Sequence, residues 1–394
     1  MNMPILRLKK HEDRRIRQGH PWIFSNEVDV AQTPLKQFEP GEQVIVQGCD
    51  TKPLGVAYVN PNSLICGRLF SQDISQRLEV TLLKTRIQCA LRLRESIFAA
   101  PFYRLVYGES DGLPGLVIDR YNDVLVAQIT TAGMEKVKPE LAAALEEVLQ
   151  PRAVLLRNDG GMRVLEGLPQ SVEPLIGKPP AEVMLEENGV RFTTSIWEGQ
   201  KTGWFYDHRL NRARLQPYVH GKRVLDVFSY IGGWGVQAAV FGATEVVCID
   251  SSQTALQRVQ QNAELNGVAS KVQTLVGDAF EQLAGLRQAQ QQFEVVIVDP
   301  PAFIKRRKDI KEGSNAYRRI NELAMRLLKP EGTLISASCS LHLQRDALVE
   351  MIQQASQRIG RNAQILEQGH QGPDHPVHPA IAETNYIKSL VVRV

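Results

Sequence analysis

The sequence predicts an α/β protein: a doubly wound sheet with an antiparallel terminal strand fills the last half, after an N-terminal β-barrel-like module and a small central α+β module. Three observations predict it. From about residue 183 onward, apolar β-type runs alternate with helical stretches, as a parallel sheet requires. Four of those runs (V-L-D-V-F-S-Y-I-G-G-W-G from Val224, V-V-C-I-D from Val246, V-V-I-V-D-P-P-A-F from Val295 and I-S-A-S-C-S from Ile335) pass from apolar residues to polar or small ones. Buried parallel strands that deliver side chains to their carboxyl edge have this pattern. Finally, A-Q-I-L-E-Q from Ala363 and I-K-S-L-V-V-R-V from Ile387 are separated by a polar loop without a helix, so these two strands can pair antiparallel.

The elements follow in order. Residues 1–75 alternate short β-type runs with Gly, Pro and Asn turns: G-E-Q-V-I-V-Q-G from Gly41, P-L-G-V-A-Y-V from Pro53, N-P-N-S-L-I-C-G-R-L-F from Asn60. That pattern predicts a small, largely β module, too short for an enzyme core. Residues 76–182 open with an Arg- and Leu-rich helix from Val80 to Phe98, then strands from Tyr103, Leu116 and Val124 and a helix from about Met134 to Leu149. The Pro-rich V-E-P-L-I-G-K-P-P-A from Val172 reads as the exit linker. Residues 183–394 form the catalytic candidate, with a helix from about Leu343 to Ile359 before the two terminal strands.

Composition sets the outer limits. A chain of 394 residues with 43% hydrophobic residues is long enough for two or three globular domains. Its formal charge of +3 is only mildly basic, so affinity for phosphate backbones must come from local clusters. Five cysteines, at Cys49, Cys66, Cys89, Cys248 and Cys339, form no C-x-x-C pair, which argues against a disulfide framework and against a zinc site. No metal is expected. His375 and His378 in D-H-P-V-H-P are weak as a metal signal and read as an ordered substrate-side loop. The amino terminus is charged from Arg7 onward, and no stretch approaches the roughly 18 apolar residues of a membrane span. A cytoplasmic protein in a reducing compartment is expected, and a homodimer stays open.

The Gly-rich turn after Asp226 carries the first chemical signal. Gly232, Gly233 and Gly235 allow a tight βα turn and a close approach of backbone to a cofactor. Asp226 at the strand end is placed to accept from a cofactor amino group, and Ser229 lies in the same turn. A dinucleotide site is the competitor, but Y-I-G-G-W-G from Tyr230 lacks the G-x-G-x-x-G spacing. Asp250 follows one βα unit later, where an acidic side chain accepts from ribose hydroxyls; Ser251 or Ser252 can cap the next helix beside it. Asp278, just past the following strand, is a candidate for the adenine amino group or else a helix cap. This set suits S-adenosylmethionine as cofactor.

Asp299-Pro300-Pro301 is the sharpest signal. Two prolines stop a central strand and fix a rigid turn beside a carboxylate. Asp299 is thus a catalytic candidate that also borders the cofactor, able to hold a base at its ring nitrogen or exocyclic amine, with Pro300, Pro301 and a stacking Phe303 beside it. The basic run K-R-R-K-D-I-K from Lys305 offers Lys305 and Arg306 as phosphate grips. Cys339, flanked by Ser338 and Ser340, ends the next strand. Methylation at carbon 5 of a cytosine needs a nucleophile to add first at carbon 6, and a thiolate serves best. The other four cysteines lie in apolar or helical runs and read as packing.

Read end to end, the chain resembles the RlmI-type rRNA large-subunit methyltransferases. The similar stretches are H-P-W-I-F-S-N from His20, Y-G-E-S-D-G-L-P-G-L-V-I-D-R from Tyr107, G-Q-K-T-G-W-F-Y-D-H-R from Gly199, V-L-D-V-F-S-Y-I-G-G from Val224, D-P-P-A-F from Asp299, S-C-S from Ser338 and D-H-P-V from Asp374. The resemblance implies an N-terminal PUA domain, a class I methyltransferase domain, and methyl transfer from S-adenosylmethionine to carbon 5 of a cytidine in large-subunit 23S rRNA, with Cys339 as nucleophile. It also implies that Gln200–Arg209 lies over the cofactor, with Thr202, Asp207 and Arg209 as contacts. Many RNA cytosine methyltransferases carry a second cysteine at the place of Pro301, so product release here cannot use one. Tyr230 stands where many methyltransferases have Gly. Arg7, Lys9, Lys10, Arg14, Arg15 and Arg17, followed by Trp22 and Phe24, suit RNA, although the two aromatics also suit a core.

Three functions from different classes fit these residues. One is the cytosine carbon 5 enzyme. Another is a methyltransferase acting on a purine nitrogen, for which Cys339 is only packing. The last is a non-catalytic RNA-binding ribosome-assembly factor, against which the intact Asp226, Gly232, Gly233, Asp250, Asp278 and Asp299 argue.

Overall fold

The structure, a computed structural model, describes residues 3–394. Among them the chain divides into two compact units. The first takes in the chain up to Val183 together with Ser195–Trp204 and Pro373–Thr384; the second comprises Met184–Thr194, Phe205–Gly372 and Asn385–Val394.

The first unit holds two sheets. Strands β1 (Ile5–Arg7), β2 (Trp22–Phe24), β3 (Glu42–Gln47), β4 (Pro53–Val59) and β5 (Ile65–Ser71) pair in the order β1-β3-β4-β5-β2. Alternating residues such as Val44, Val46, Ala57 and Val59 point into a shared core with Leu6, Leu8 and Ile23. Strands β6 (Phe102–Tyr107), β7 (Leu116–Tyr121), β8 (Val124–Ile129), β9 (Ala153–Asn158) and β10 (Ser171–Gly177) pair in the order β10-β9-β8-β7-β6. Helices Val80–Glu95 and Lys138–Leu149 cover this sheet with Leu83, Ile87, Leu141 and Leu145, and Val56, Tyr58 and Phe70 of the first sheet enter the same core.

Two elements differ from the sequence expectation. The Pro-rich stretch expected as a linker is strand β10, antiparallel to β9 with a register shift between Pro174 and Ile176. It lies at the sheet edge, where a proline's missing N–H costs no ladder bond. The helix expected from Met134 is two, Ala132–Lys136 and Lys138–Leu149, because Pro139 starts the second in its first turn.

Later segments complete the first unit's hydrogen bonding. Arg157 donates to the carbonyls of Ile196 (2.8 Å) and Gly199 (2.9 Å). Arg94, fully buried, holds Asp111 with both terminal nitrogens (2.6 and 2.8 Å) and donates to the Asp374 carbonyl at 2.9 Å.

In the second unit, after the β11 (Glu182–Glu187) and β12 (Val190–Ser195) ribbon, come β13 (Arg223–Val227), β14 (Glu245–Asp250), β15 (Val272–Val276), β16 (Phe293–Val298), β17 (Leu328–Ser338), β18 (Gln364–Gly369) and β19 (Lys388–Arg393). Their order is β15-β14-β13-β16-β17-β19-β18. The pairs among β13–β17 are parallel, and β19 runs antiparallel between β17 and β18, as the helix-free terminal loop predicted. Five helices (Gly235–Val240, Gln253–Leu265, Ala279–Gln288, Ile310–Arg326 and Arg345–Arg358) supply the crossovers. Leu225, Val227, Val296, Val298 and Leu334 meet Tyr317, Ile320, Leu348 and Ile352 in the core. Strand order reverses between β13 and β16, which opens a crevice at their carboxyl ends, where such sheets bind ligands.

Among the described residues no helix is long and apolar enough to cross a membrane, and no group of three His, Cys, Asp or Glu could hold a metal.

Candidate active site

The parallel register brings the strand-end residues to one edge. Val227 pairs with Val298 and Val298 with Ser336, so Asp299 lies one residue past that level and Cys339 three residues past it, on adjacent strands. Asp226, the penultimate residue of β13, and Asp250, the last of β14, lie on the other side of the crevice.

Asp226 is fully buried. Its Oδ2 accepts from Gly235 N–H at 2.8 Å, and its Oδ1 has no hydrogen-bond partner. Burial pushes this carboxyl up to about 8; the bond from Gly235 opposes that, and the charges of Asp299 and Asp250 add to it. The turn that follows is bent: Phe228 (φ 67°), Tyr230 (φ 49°) and Gly232 (φ 86°) are all left-handed. Two bonds hold it, Ser229 N–H to the Ile249 carbonyl (2.9 Å) and Tyr230 N–H to Asp250 Oδ2 (2.9 Å). Asp250 Oδ1 also accepts from Ser252 N–H at 2.9 Å, while Ser252 Oγ caps the helix at Ala255 N–H, 3.2 Å. Asp250 therefore shapes the turn and retains acceptor capacity. Asp278 is the N-cap of helix Ala279–Gln288: its Oδ1 accepts from Phe280 N–H (2.9 Å) and Glu281 N–H (3.2 Å).

Asp299 is held by groups absent from the sequence reading. Its Oδ2 accepts from the Trp234 indole N–H at 2.9 Å, and its Oδ1 lies 3.4 Å from His208 Nε2. His208 is buried, and its Nδ1 is 3.2 Å from Asn211 Nδ2. An amide nitrogen can only donate, which puts the imidazole proton on Nε2, where it makes no hydrogen bond among the described residues. Pro300 is buried and Pro301 exposed. Phe303 is half-buried against Tyr317 (ring centroids 4.9 Å), Phe228 and Phe280 (6.3 Å each), so the core fixes its ring. Lys305 and Arg306 are exposed, and Arg306 pairs with Asp309 at 3.3 Å.

Asp207 and Arg209 belong to this unit and carry protein partners. Tyr386 donates to Asp207 Oδ2 at 2.6 Å; Arg209 lies 3.7 Å from the buried Glu187, which Arg212 binds at 2.5 Å. Thr202 belongs to the first unit, where its buried hydroxyl donates to Asp119. Asp374 and His375 are also buried in the first unit, 3.0 Å apart. Trp22, one of the aromatics read there as suiting RNA or a core, donates its indole N–H to Glu109 at 2.7 Å, whereas Lys10 and Arg14 are exposed.

Cys339 directly follows β17 and is partly exposed; Cys66 and Cys248 are buried. Its flanking serines are anchored. Ser338 donates to the Tyr317 hydroxyl at 2.8 Å, Tyr317 bonds Ser340 Oγ at 2.9 Å, and Ser340 Oγ accepts from Ile304 N–H at 3.1 Å.

An acid-lined crevice at the switch point of a seven-stranded sheet with an antiparallel seventh strand defines a methyltransferase that uses S-adenosylmethionine. Residues 138–393 match the family model of S-adenosylmethionine-dependent methyltransferases and residues 6–72 that of the PUA-like domain. Proteins called ribosomal RNA large subunit methyltransferase I align end to end. The one from Aeromonas salmonicida is 37% identical over 392 residues, and that from Escherichia coli strain SMS-3-5 is 35% identical over 392, each covering 98% of both chains. The chain belongs to the ribosomal RNA large subunit methyltransferase I family. Among solved structures, a candidate SAM-dependent methyltransferase from Streptococcus mutans superposes with TM-score 0.83 at 21% identity, covering 100% of both chains. A candidate methyltransferase complexed with SAH gives 0.84 at 21%, again over 100% of both, and these likenesses show the fold.

The residues present fit the cofactor. Asp226 Oδ1, buried and without a protein partner, is an acceptor for the α-ammonium group. A Cβ at Gly235 would stand 2.5 Å from Cys248 Sγ and 3.0 Å from Asp226 Oδ2, so only glycine leaves that carboxylate in place.

Proposed function

We propose that this chain methylates carbon 5 of a cytidine in large-subunit ribosomal RNA through a covalent bond to Cys339. The names of its relatives and its PUA-like domain support the RNA substrate. The observation that carries the chemistry is the partly exposed Cys339 just past β17, one strand from Asp299 on the same edge.

S-adenosylmethionine, when bound, supplies an electrophilic methyl group on a sulfonium. Asp226 would take its ammonium, the Ser229–Gly235 turn would hold its methionine part, Asp250 would accept from its ribose and Asp278 from its adenine. The cytidine enters unstacked, since neither face of its ring is accessible within a helix. Lys305 and Arg306 grip neighbouring phosphates. Pro300 and Pro301 keep the Asp299 turn rigid, and Phe303 borders the base. The Cys339 thiolate adds to carbon 6; the C5–C6 double-bond pair shifts to carbon 5 while Asp299 directs a proton to nitrogen 3. Carbon 5 is then nucleophilic. After methylation nitrogen 3 gives back its proton by way of Asp299, a base or water takes the carbon 5 proton, the C5–C6 double bond re-forms, and the C6–S bond breaks to return the thiolate.

RNA carrying 5-fluorocytidine tests this, because fluorine at carbon 5 blocks the final elimination. The unaltered protein should form a covalent adduct with such RNA in the presence of S-adenosylmethionine, and Cys339→Ala should form none and lose methylation. Full methylation by Cys339→Ala would place the reaction on a base nitrogen instead.

A further inference from the structure

Lys388 lies opposite Ser338 in the antiparallel β17–β19 register, and its Nζ reaches forward to donate to the Ser340 carbonyl at 2.6 Å. Cys339 is the residue between those two contacts. The lysine is 6% exposed, and among the described residues no carboxylate lies within ion-pair distance of it. A buried ammonium with only a neutral carbonyl as acceptor is costly, and a thiolate at Cys339, between its two contacts, would offset part of that cost. Burial brings Lys388 down to about 8, Cys339 opposes that, and Arg345 adds to it.

Tyr317, bonded to both serines that flank Cys339, is a second titratable group beside it. Burial pushes its phenol up to about 12 against the bonds from Ser338 and Ser340, so it stays neutral and adds no competing anion.

We infer that Lys388 is the cation that holds Cys339 as a thiolate, a positioning residue that acts through the nucleophile rather than on the RNA. The inference rests on Cys339 being that nucleophile. The thiol proton leaves to solvent, Lys388 keeps its own, and the pair is ammonium and thiolate until the sulfur bonds to carbon 6. The cation persists at pH 7 and is lost above about 8.

Iodoacetamide alkylation of the full-length protein, read peptide by peptide across pH, tests it. In Lys388→Met the midpoint for Cys339 should rise by about one pH unit, a roughly tenfold slower reaction at pH 7, with Cys49 and Cys89 unchanged. Lys388→Arg should keep the low midpoint. Methylation by Lys388→Met should fall to a similar extent at pH 7 and recover toward higher pH, which a merely structural defect does not do. The converse experiment needs no change at Lys388: in Cys339→Ser, acetic anhydride should reach Lys388 at lower pH. An unchanged Cys339 midpoint in Lys388→Met that still binds S-adenosylmethionine, or an unchanged Lys388 profile in Cys339→Ser, overturns the inference. Retained methylation in Cys339→Ala instead removes the nucleophile itself and leaves the alkylation comparison standing, so the two failures are distinguishable.

Discussion

A carboxyl that is fully buried, bonded once by Gly235 N–H and otherwise unpartnered is held against its own solvation, and Asp226 is in that position. Because folding raises it to about 8, its contribution to stability is complete below the ordinary carboxyl range and is lost as pH rises through about 8. Asp226→Asn removes that loss. The cofactor-free variant should be more stable than the parent at pH 9, by about 1–2 kcal/mol, while binding S-adenosylmethionine at least tenfold more weakly. Cofactor binding to the parent at pH 7 should also expel close to one proton, seen as a dependence of the calorimetric enthalpy on buffer, and the release should vanish above pH 9. Asp226, Asp250, Asp299 and Cys339 were legible as candidates because each ends an apolar strand. His208, Trp234 and Lys388 were not, since their partners lie far off in the chain and nothing local marks them. Lys388 in I-K-S-L-V-V-R-V looks like the solvent face of an edge strand, but β19 is flanked on both sides.

Among elements, the β13 turn depends most on its residue types. Phe228 and Tyr230 accept left-handed conformations usually left to glycine, and the Asp250 bond to Tyr230 N–H offsets part of that cost. Gly235 has no such latitude. In Gly235→Ala the new methyl would meet Cys248 Sγ at 2.5 Å and Asp226 Oδ2 at 3.0 Å. Urea unfolding should show a loss of about 2–3 kcal/mol, and calorimetry should show no cofactor binding; parental values for both would refute the packing argument. The doubly wound sheet was readable here because parallel strands alternate with helices. In the first unit, β10 was misread because Pro174 and Pro179 signal a linker by composition, whereas pairing with β9 is decided by geometry that only tertiary structure supplies.

At the scale of the molecule, chain order and compact units do not coincide. Ser195–Trp204 and Pro373–Thr384 belong with the first unit. A fragment ending at Val183 leaves Arg157 without the Ile196 and Gly199 carbonyls, Asp119 without Thr202, and Arg94 and Arg104 N–H without Asp374. That fragment should unfold at least 3 kcal/mol more easily than the same unit within the full chain, measured by denaturant-dependent tryptophan and tyrosine fluorescence. Composition suggested three successive domains, whereas the chain forms two compact units, and these returning segments were not legible because each is short and its bonds run to distant backbone. The placement of β19 has a consequence for biosynthesis. Strand β19 follows both of its neighbours in the chain, so during translation β17 and β18 present bare edges until it emerges, and these invite pairing with other nascent chains. Lys388 arrives with that strand, so the cation proposed for Cys339 joins it only once β19 has docked.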